Sequence, residues 1–294
     1  MDEKLAPYSL LLHLLILLGG ACSGNGSVEM DGQTLSHSKA HDHTAHADMR
    51  IEQVHSHSSP HMHHMDSAVI VFFFIEDLKQ GNTIPIYFPR RDPNSSPHLL
   101  SKEEADSIPF SSQEIDYLLH FYSFPQGSPQ ATAMEDTLRE CEAKPIKGET
   151  KLCATSLESM LDFTRTILGS ETETNVLSTT HLAHSNILLQ KYEVMGIEEI
   201  QAPKQVSCHT MPYPYAVFYC HYQESKSRVF KVSLTGENGD KVDAVAVCHM
   251  DTSHWGRNHV SFKVLGIEPG SSPVCHFFPA DNFVYVPSTT SPQA

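Results

Sequence analysis

Along the chain, apolar positions fall into four regimes, and each predicts a different kind of element. Residues 9–18, SLLLHLLILL, form a mostly apolar run interrupted by His13. From Ser23 to Asp66 there is almost no apolar periodicity and no Phe, Tyr or Trp, so the segment has little to bury and reads as a disordered arm. At residue 68 the pattern changes abruptly. VIVFFFIEDL reads as a buried strand, a turn follows at Gly81-Asn82, and TIPIYF reads as a second strand.

The next hundred residues have helical spacing. Ser111 and Glu114 make a capping box, after which Ile115, Leu118, Leu119 and Tyr122 recur at i, i+3, i+4 and i+7. Met134, Leu138 and Cys141 repeat the spacing. Thr155 and Glu158 read as a further cap before a stripe of Leu157, Met160, Leu161 and Leu168, with Gly169 where a helix stops. From about residue 174 the pattern shortens to strands: ILLQKYEVMGI, VFYCHY, RVFKVSL, KVDAVAVCHM, HVSFKVLGI, VCHFF and NFVYVP, separated by turn residues such as GENGD and EPGSSP. Helices followed by strands predict an α+β fold: N-terminal strands and a helical segment, then a mostly antiparallel β region.

Composition adds compartment and charge. The run at 9–18 has the length of a signal-peptide core, and small residues in GGACSG place a cut near Cys22. The run is short for a bilayer span, so no stable membrane insertion is expected. The expected organisation is a signal at 1–22, a His-rich arm at 23–67, one domain at 68–287 and a tail at 288–294. The net charge is −15 over 294 residues, without basic runs, which argues against nucleic-acid partners. Loss of Cys22 leaves six cysteines: Cys141, Cys153, Cys208, Cys220, Cys248 and Cys275. An even number in an oxidising compartment predicts disulfides. Cys141 and Cys153 bracket EAKPIKGETKL, whose Pro145 and Gly148 let the chain fold back, so they form the expected local pair; the other four leave their pairing open. Asn25-Gly-Ser and Asn94-Ser-Ser are glycosylation acceptors.

The chemistry-bearing pattern is a repeated dipeptide. Cysteine stands directly before histidine at Cys208-His209, Cys220-His221, Cys248-His249 and Cys275-His276. Each pair lies in or beside a predicted strand, where successive side chains point to opposite faces. Sulfur is therefore expected on one face, for bridges, and imidazole on the other. The histidines are metal-ligand candidates in competition with ordinary core packing. Zinc in mixed Cys/His ligation lacks a Cys-x₂-Cys knuckle and needs reduced thiols; imidazole alone suits copper as well as zinc.

The spacing of these pairs, ten, 26 and 25 residues apart, resembles the signature of the plant BURP domain. FFFIEDLKQGNTIPIYFP, CATSLESMLDF, CHMDTSHW and CHFFPADNFVYVP are similar to other stretches of that family, and the short variable arm without long repeats looks most like its unknown-seed-protein branch. The resemblance implies a secreted or vacuolar plant protein of the apoplast, cell wall or protein storage vacuole, tied to seed or reproductive development or to stress. Some members are copper-dependent cyclases that oxidatively join a Tyr or Trp side chain to another position of a peptide, often within their own chain. By carry-over, His209, His221, His249 and His276 become copper ligands and copper the cofactor. The arm contains no aromatic residue, so it offers its own domain no core peptide. The expected function is that of a secreted BURP protein of seed, reproductive or stress biology that binds copper through these histidines; oxidative cyclisation of a separate Tyr- or Trp-containing peptide is one alternative, and non-catalytic association with cell-wall polysaccharide the other. Tyr213, Tyr215 and the single tryptophan, Trp255, read as structural.

The arm carries nine histidines, from His37 to His64. Its six acids and two bases give −4, and full protonation of the nine would bring it to +5. Because imidazole titrates near ~6.5, the arm is expected to reverse sign in an acidic compartment and to adhere to polyanions there. HMHHM also has the donors to capture copper or zinc.

Overall fold

A computed structural model describes residues 71–89, 96–183 and 186–288. The proposed signal, the His-rich arm and both glycosylation acceptors lie outside them. Among the described residues no helix is long and apolar enough to cross a membrane.

Two antiparallel sheets make up the architecture. The larger contains β1 (Phe72–Phe73), β11 (Val274–Phe278), β10 (Lys241–His249), β9 (Ser227–Gly236), β6 (Leu189–Ile200) and β2 (Thr83–Tyr87) in that order, with β5 (Thr180–His181) also paired to β10. The smaller runs β3 (Glu149–Ala154), β8 (Val217–Gln223), β7 (Val206–Met211), β12 (Phe283–Pro287), β4 (Thr174–Leu177). Helices α1 (Lys102–Ser107), α2 (Ile115–Phe121), α3 (Pro129–Glu142) and α4 (Leu157–Leu168) precede most of the strands, and α5 (Val260–Leu265) interrupts the last of them. The α+β expectation describes this arrangement.

Alternation along the strands sorts the apolar residues into layers. On β10, Val245 and Val247 face the smaller sheet and join Val229, Phe278, Leu177, Val284 and Val286 in an inter-sheet core. Ala244, Ala246 and Cys248 face the other way, into a second core with Phe73, Phe230 and Phe277. The outer face of the smaller sheet buries Cys208, Cys220, Phe218 and Tyr285 against Met160 and Leu168 of α4. Helices α2 and α3 close a fourth core around Tyr213, Tyr215 and Val217.

Several local expectations need correction. HVSFKVLGI, read as a strand, contains α5. The His259 side chain accepts from the Ser261 N–H, and Gly266 ends the helix in the left-handed region at φ 66°, so both ends are capped; the β-branched Val260 and Val264 had suggested a strand. The opening strand is only two residues long, because the Asp77 carboxylate accepts the Phe74 N–H and winds residues 75–77 into a 3₁₀ turn. Glu149–Ala154 lies within the stretch read as helical, yet forms β3 along β8. The cap of α4 is Ser156 with Ser159, not Thr155 with Glu158, and Leu157 is exposed. Ser111 caps a 3₁₀ turn through the Gln113 N–H; the carboxylate that reaches this turn is Glu142 from α3, not Glu114.

Candidate functional site

The site grows from two strand pairs with the same register. On β7 and β8, Cys208 stands opposite Cys220, with Cα atoms 4.0 Å apart, and the sulfurs are joined. On β10 and β11, Cys248 stands opposite Cys275, with Cα atoms 3.9 Å apart, again joined. In each pair the following histidines are diagonal neighbours on the face away from the bridge. All four cysteines are fully buried in cores on the outward faces of their sheets. Cys141 and Cys153 are joined as well, with Cα atoms 5.6 Å apart, tying the end of α3 to β3.

The imidazoles point into the space between the sheets, where the two strand pairs meet. Their rings form a closed circuit. His209 lies 5.5 Å from His221 and 5.5 Å from His276, centre to centre; His249 lies 5.5 Å from His276 and 6.1 Å from His221. His209 and His276 both stack on Phe278 at 4.8 Å. His249 is 3 % exposed and the other three are half-buried. Around them opens a groove of about 470 Å³, with Phe72, Glu149, Tyr219, Trp255 and His259 in its wall.

Neighbouring side chains hold two of the rings. His249 Nδ1 lies 3.0 Å from Gln223 Oε1 and 3.3 Å from Ser227 Oγ. His221 Nδ1 lies 3.2 Å from Glu149 Oε1, which also accepts the Tyr219 O–H at 3.0 Å. Trp255, read from the sequence as structural, packs its indole against His249 at 5.0 Å and against His259 at 4.5 Å and so forms part of the site wall. Tyr213 and Tyr215 lie elsewhere, in the core beneath α2 and α3.

Burial sets the electrostatics. It pushes His209, His249 and His276 well below the usual imidazole value, and the neighbouring rings push further in the same direction. His259 is lowered to about 4, first by burial and then by His221. Burial alone would raise Glu149, but bonds from His221, the Ile146 N–H and Tyr219 outweigh it and hold the carboxyl below its usual value. Burial and the Glu149 charge push the Tyr219 phenol up. His209, His249, His276 and His259 are therefore neutral at pH 7, with lone pairs available.

A pH dependence follows. Below about 6.5 the unfolded chain takes up protons that these four folded histidines refuse, so stability falls as pH falls. Each group contributes up to about 1.4 kcal/mol per pH unit between ~6.5 and its folded value. Carboxylates with lowered values act only below about 4.5, so the window from 6.5 to 5 reports the histidines. The midpoint of urea unfolding is expected to be lower at pH 5 than at pH 7; an equal or higher midpoint at pH 5 contradicts the burial described here.

The sequence signals for the remaining wall residues were partial. Tyr219 and Gln223 flank His221 at i−2 and i+2 and so share its face by strand periodicity alone. His259 was hidden by the strand assignment of its segment, and Glu149 by the loop assignment of β3.

Comparison with known proteins bears on the same residues. The BURP domain family model matches residues 71–287, which contain both strand pairs and all four Cys-His dipeptides. The chain belongs to the BURP domain family. It is 41 % identical over 290 residues to BURP domain-containing protein BNM2C of Brassica napus, covering 96 % of this chain and 95 % of that one. It is 43 % identical over 228 residues to BURP domain protein USPL1 of Arabidopsis thaliana, covering 75 % and 81 % respectively. BURP domain protein RD22 of the same plant is 41 % identical over 225 residues, 76 % of this chain and 57 % of its own length.

Proposed function

We propose that this BURP protein is secreted, that His209, His221, His249 and His276 hold one copper ion, and that the groove beside them carries out oxidative cross-linking of an aromatic residue in a separate peptide. The observation that carries this reading is the closed circuit of four imidazoles drawn from two sheets. Such a circuit is a poor way to fill a core, since each ring sacrifices hydration for little apolar burial.

The residues fit a nitrogen-ligated metal. A tetrahedral ion bonded at about 2.0–2.1 Å to four imidazoles sets neighbouring ring centres roughly 5 Å apart, against the 5.5–6.1 Å observed. In the present rotamers, no three His, Cys, Asp or Glu side chains among the described residues converge closely enough to ligate, so the rings must turn and draw in. The donors are all imidazole, because every cysteine that could compete is bridged on the opposite face. Borderline metals with imidazole ligands include copper and zinc; copper is favoured because the bridged thiols suit an oxidising compartment.

Copper would supply one-electron chemistry with dioxygen as the acceptor. The protein's own part is positional. Phe72 and Trp255 offer apolar faces on which an aromatic side chain can stack, and Lys151, seated over the Tyr219 ring at 5.1 Å, places a cation in the wall. Cross-linking removes two hydrogens from the peptide and forms one bond, with dioxygen reduced in balance. A role in seed or reproductive development or in stress is what the resemblance to the family implies.

The test is aerobic incubation of copper-loaded, purified protein with Tyr- and Trp-containing peptides, followed by mass spectrometry. A loss of two hydrogens that needs both copper and dioxygen is expected. Copper bound at the quartet without any mass change across a diverse peptide set would leave the non-catalytic, wall-associated alternative in its place.

A further inference from the structure

The second layer around the quartet is asymmetric. His209 and His276 stack on Phe278, whereas His249 is hydrogen-bonded to Gln223 and His221 lies beside the Glu149 carboxylate. Those acceptors, Glu149 and Gln223, stand directly opposite each other across β3 and β8. Gln223 Oε1 reaches His249 Nδ1 at 3.0 Å, and Glu149 Oε1 reaches His221 Nδ1 at 3.2 Å.

Glu149 is the more constrained of the two. Its side chain is 7 % exposed and that of His221 is 12 % exposed. Oε1 takes the Tyr219 O–H at 3.0 Å and Oε2 takes the Ile146 N–H at 3.1 Å, so the carboxylate has little freedom to turn away. A neutral imidazole has one N–H and one lone pair. In the present rotamer Nδ1 lies beside the fixed carboxylate without a hydrogen bond to it; the turn of the ring that ligation requires would aim Nδ1–H at Oε1 and leave the lone pair on Nε2 to ligate.

Resting on the copper reading above, we infer that Glu149 is a positioning residue of the metal centre. On ligation it accepts the Nδ1–H of His221 and so fixes the tautomer and orientation of that ring, and its negative charge favours the more highly charged state of the ion. Gln223 does the same for His249 without the charge. The ion is thereby held more rigidly on the β8 side than on the Phe278 side.

The test compares wild type with Glu149→Gln, which keeps the shape and removes the charge, and with Glu140→Gln, a change of equal charge on the groove rim. Copper(II) affinity by chelator competition is expected to fall about 10- to 100-fold in Glu149→Gln, the usual range for loss of an outer partner. The electron paramagnetic resonance spectrum is expected to change, and the Cu(II)/Cu(I) potential to rise. Glu140→Gln should leave all three unchanged. Wild-type affinity, spectrum and potential in a Glu149→Gln protein with intact disulfides and native circular dichroism would overturn the inference alone. A wild-type protein that binds no copper would overturn the copper reading with it. Should Glu149→Gln not fold, Tyr219→Phe removes one of the restraints on the carboxylate; a smaller shift in the same three readouts is expected, and none would count against the assignment.

Discussion

His249→Ala is expected to abolish tight copper binding while leaving a folded domain. His249 is the most deeply buried of the four rings and touches His221, His276 and Trp255 at once. Its removal breaks the circuit at its most deeply buried member. The loss should exceed about 100-fold, the upper end of what an outer-shell change brings, because a ligand itself is gone. The fold should survive. The change leaves Gln223 Oε1 and Ser227 Oγ short of a partner, a cost of about 1–3 kcal/mol, and the Cys248–Cys275 bridge still joins the strand pair. His254→Ala, an exposed site five residues further on, should leave affinity unchanged. Chelator competition on both variants, with circular dichroism to verify folding, checks the prediction; equal affinity in His249→Ala and wild type would remove this ring from the site.

The second large effect concerns the bridges. Cys248→Ala with Cys275→Ala is expected to lower stability by about 3–4 kcal/mol, from the loop entropy returned to the unfolded chain at a separation of 27 residues. The Cys208–Cys220 bridge spans 12 residues, and its removal should cost about 3 kcal/mol. Both are large against the 5–15 kcal/mol typical of whole domains. Each bridge also fixes the diagonal placement of two histidines, so copper affinity should fall along with stability, although no ligand has been touched. Urea unfolding and copper competition on the same samples test the link. A variant as stable as wild type would show that the bridge adds nothing, and a destabilised variant of unchanged affinity would show that the sheet register alone places the rings.

How legible this was depended on the range of the interactions involved. The division of sulfur from imidazole is a local consequence of strand alternation, and so the four dipeptides could be read from neighbouring residues alone. Partner choice was not local. Nothing within VSCHTM or VFYCHY says that β7 and β8 pair with Cys208 against Cys220, because that register depends on sheet order. Nor could the meeting of the two strand pairs be read from them, since it depends on how the smaller sheet packs over Val245, Val247 and Phe278.

The misses have two origins, one local and one not. In VSFKVL, β-branched residues favoured a strand, but capping by His259 and Gly266 decided for a helix. In ETKLCA, alternation was present but short, and the strand exists because β8 offers an edge and the Cys141–Cys153 bridge ties it to α3. Glu149 sits at the start of that strand, so its place beside His221 became visible only with the pairing.

The measurement that bears most directly on the quartet is an anomalous difference map collected at the copper edge from crystals of the copper-loaded protein. The account predicts a single strong peak among the rings of His209, His221, His249 and His276, with Glu149 behind His221 and Gln223 behind His249. A peak only at other side chains, with the four rings keeping their present spacing and His209 and His276 still stacked on Phe278, would contradict it.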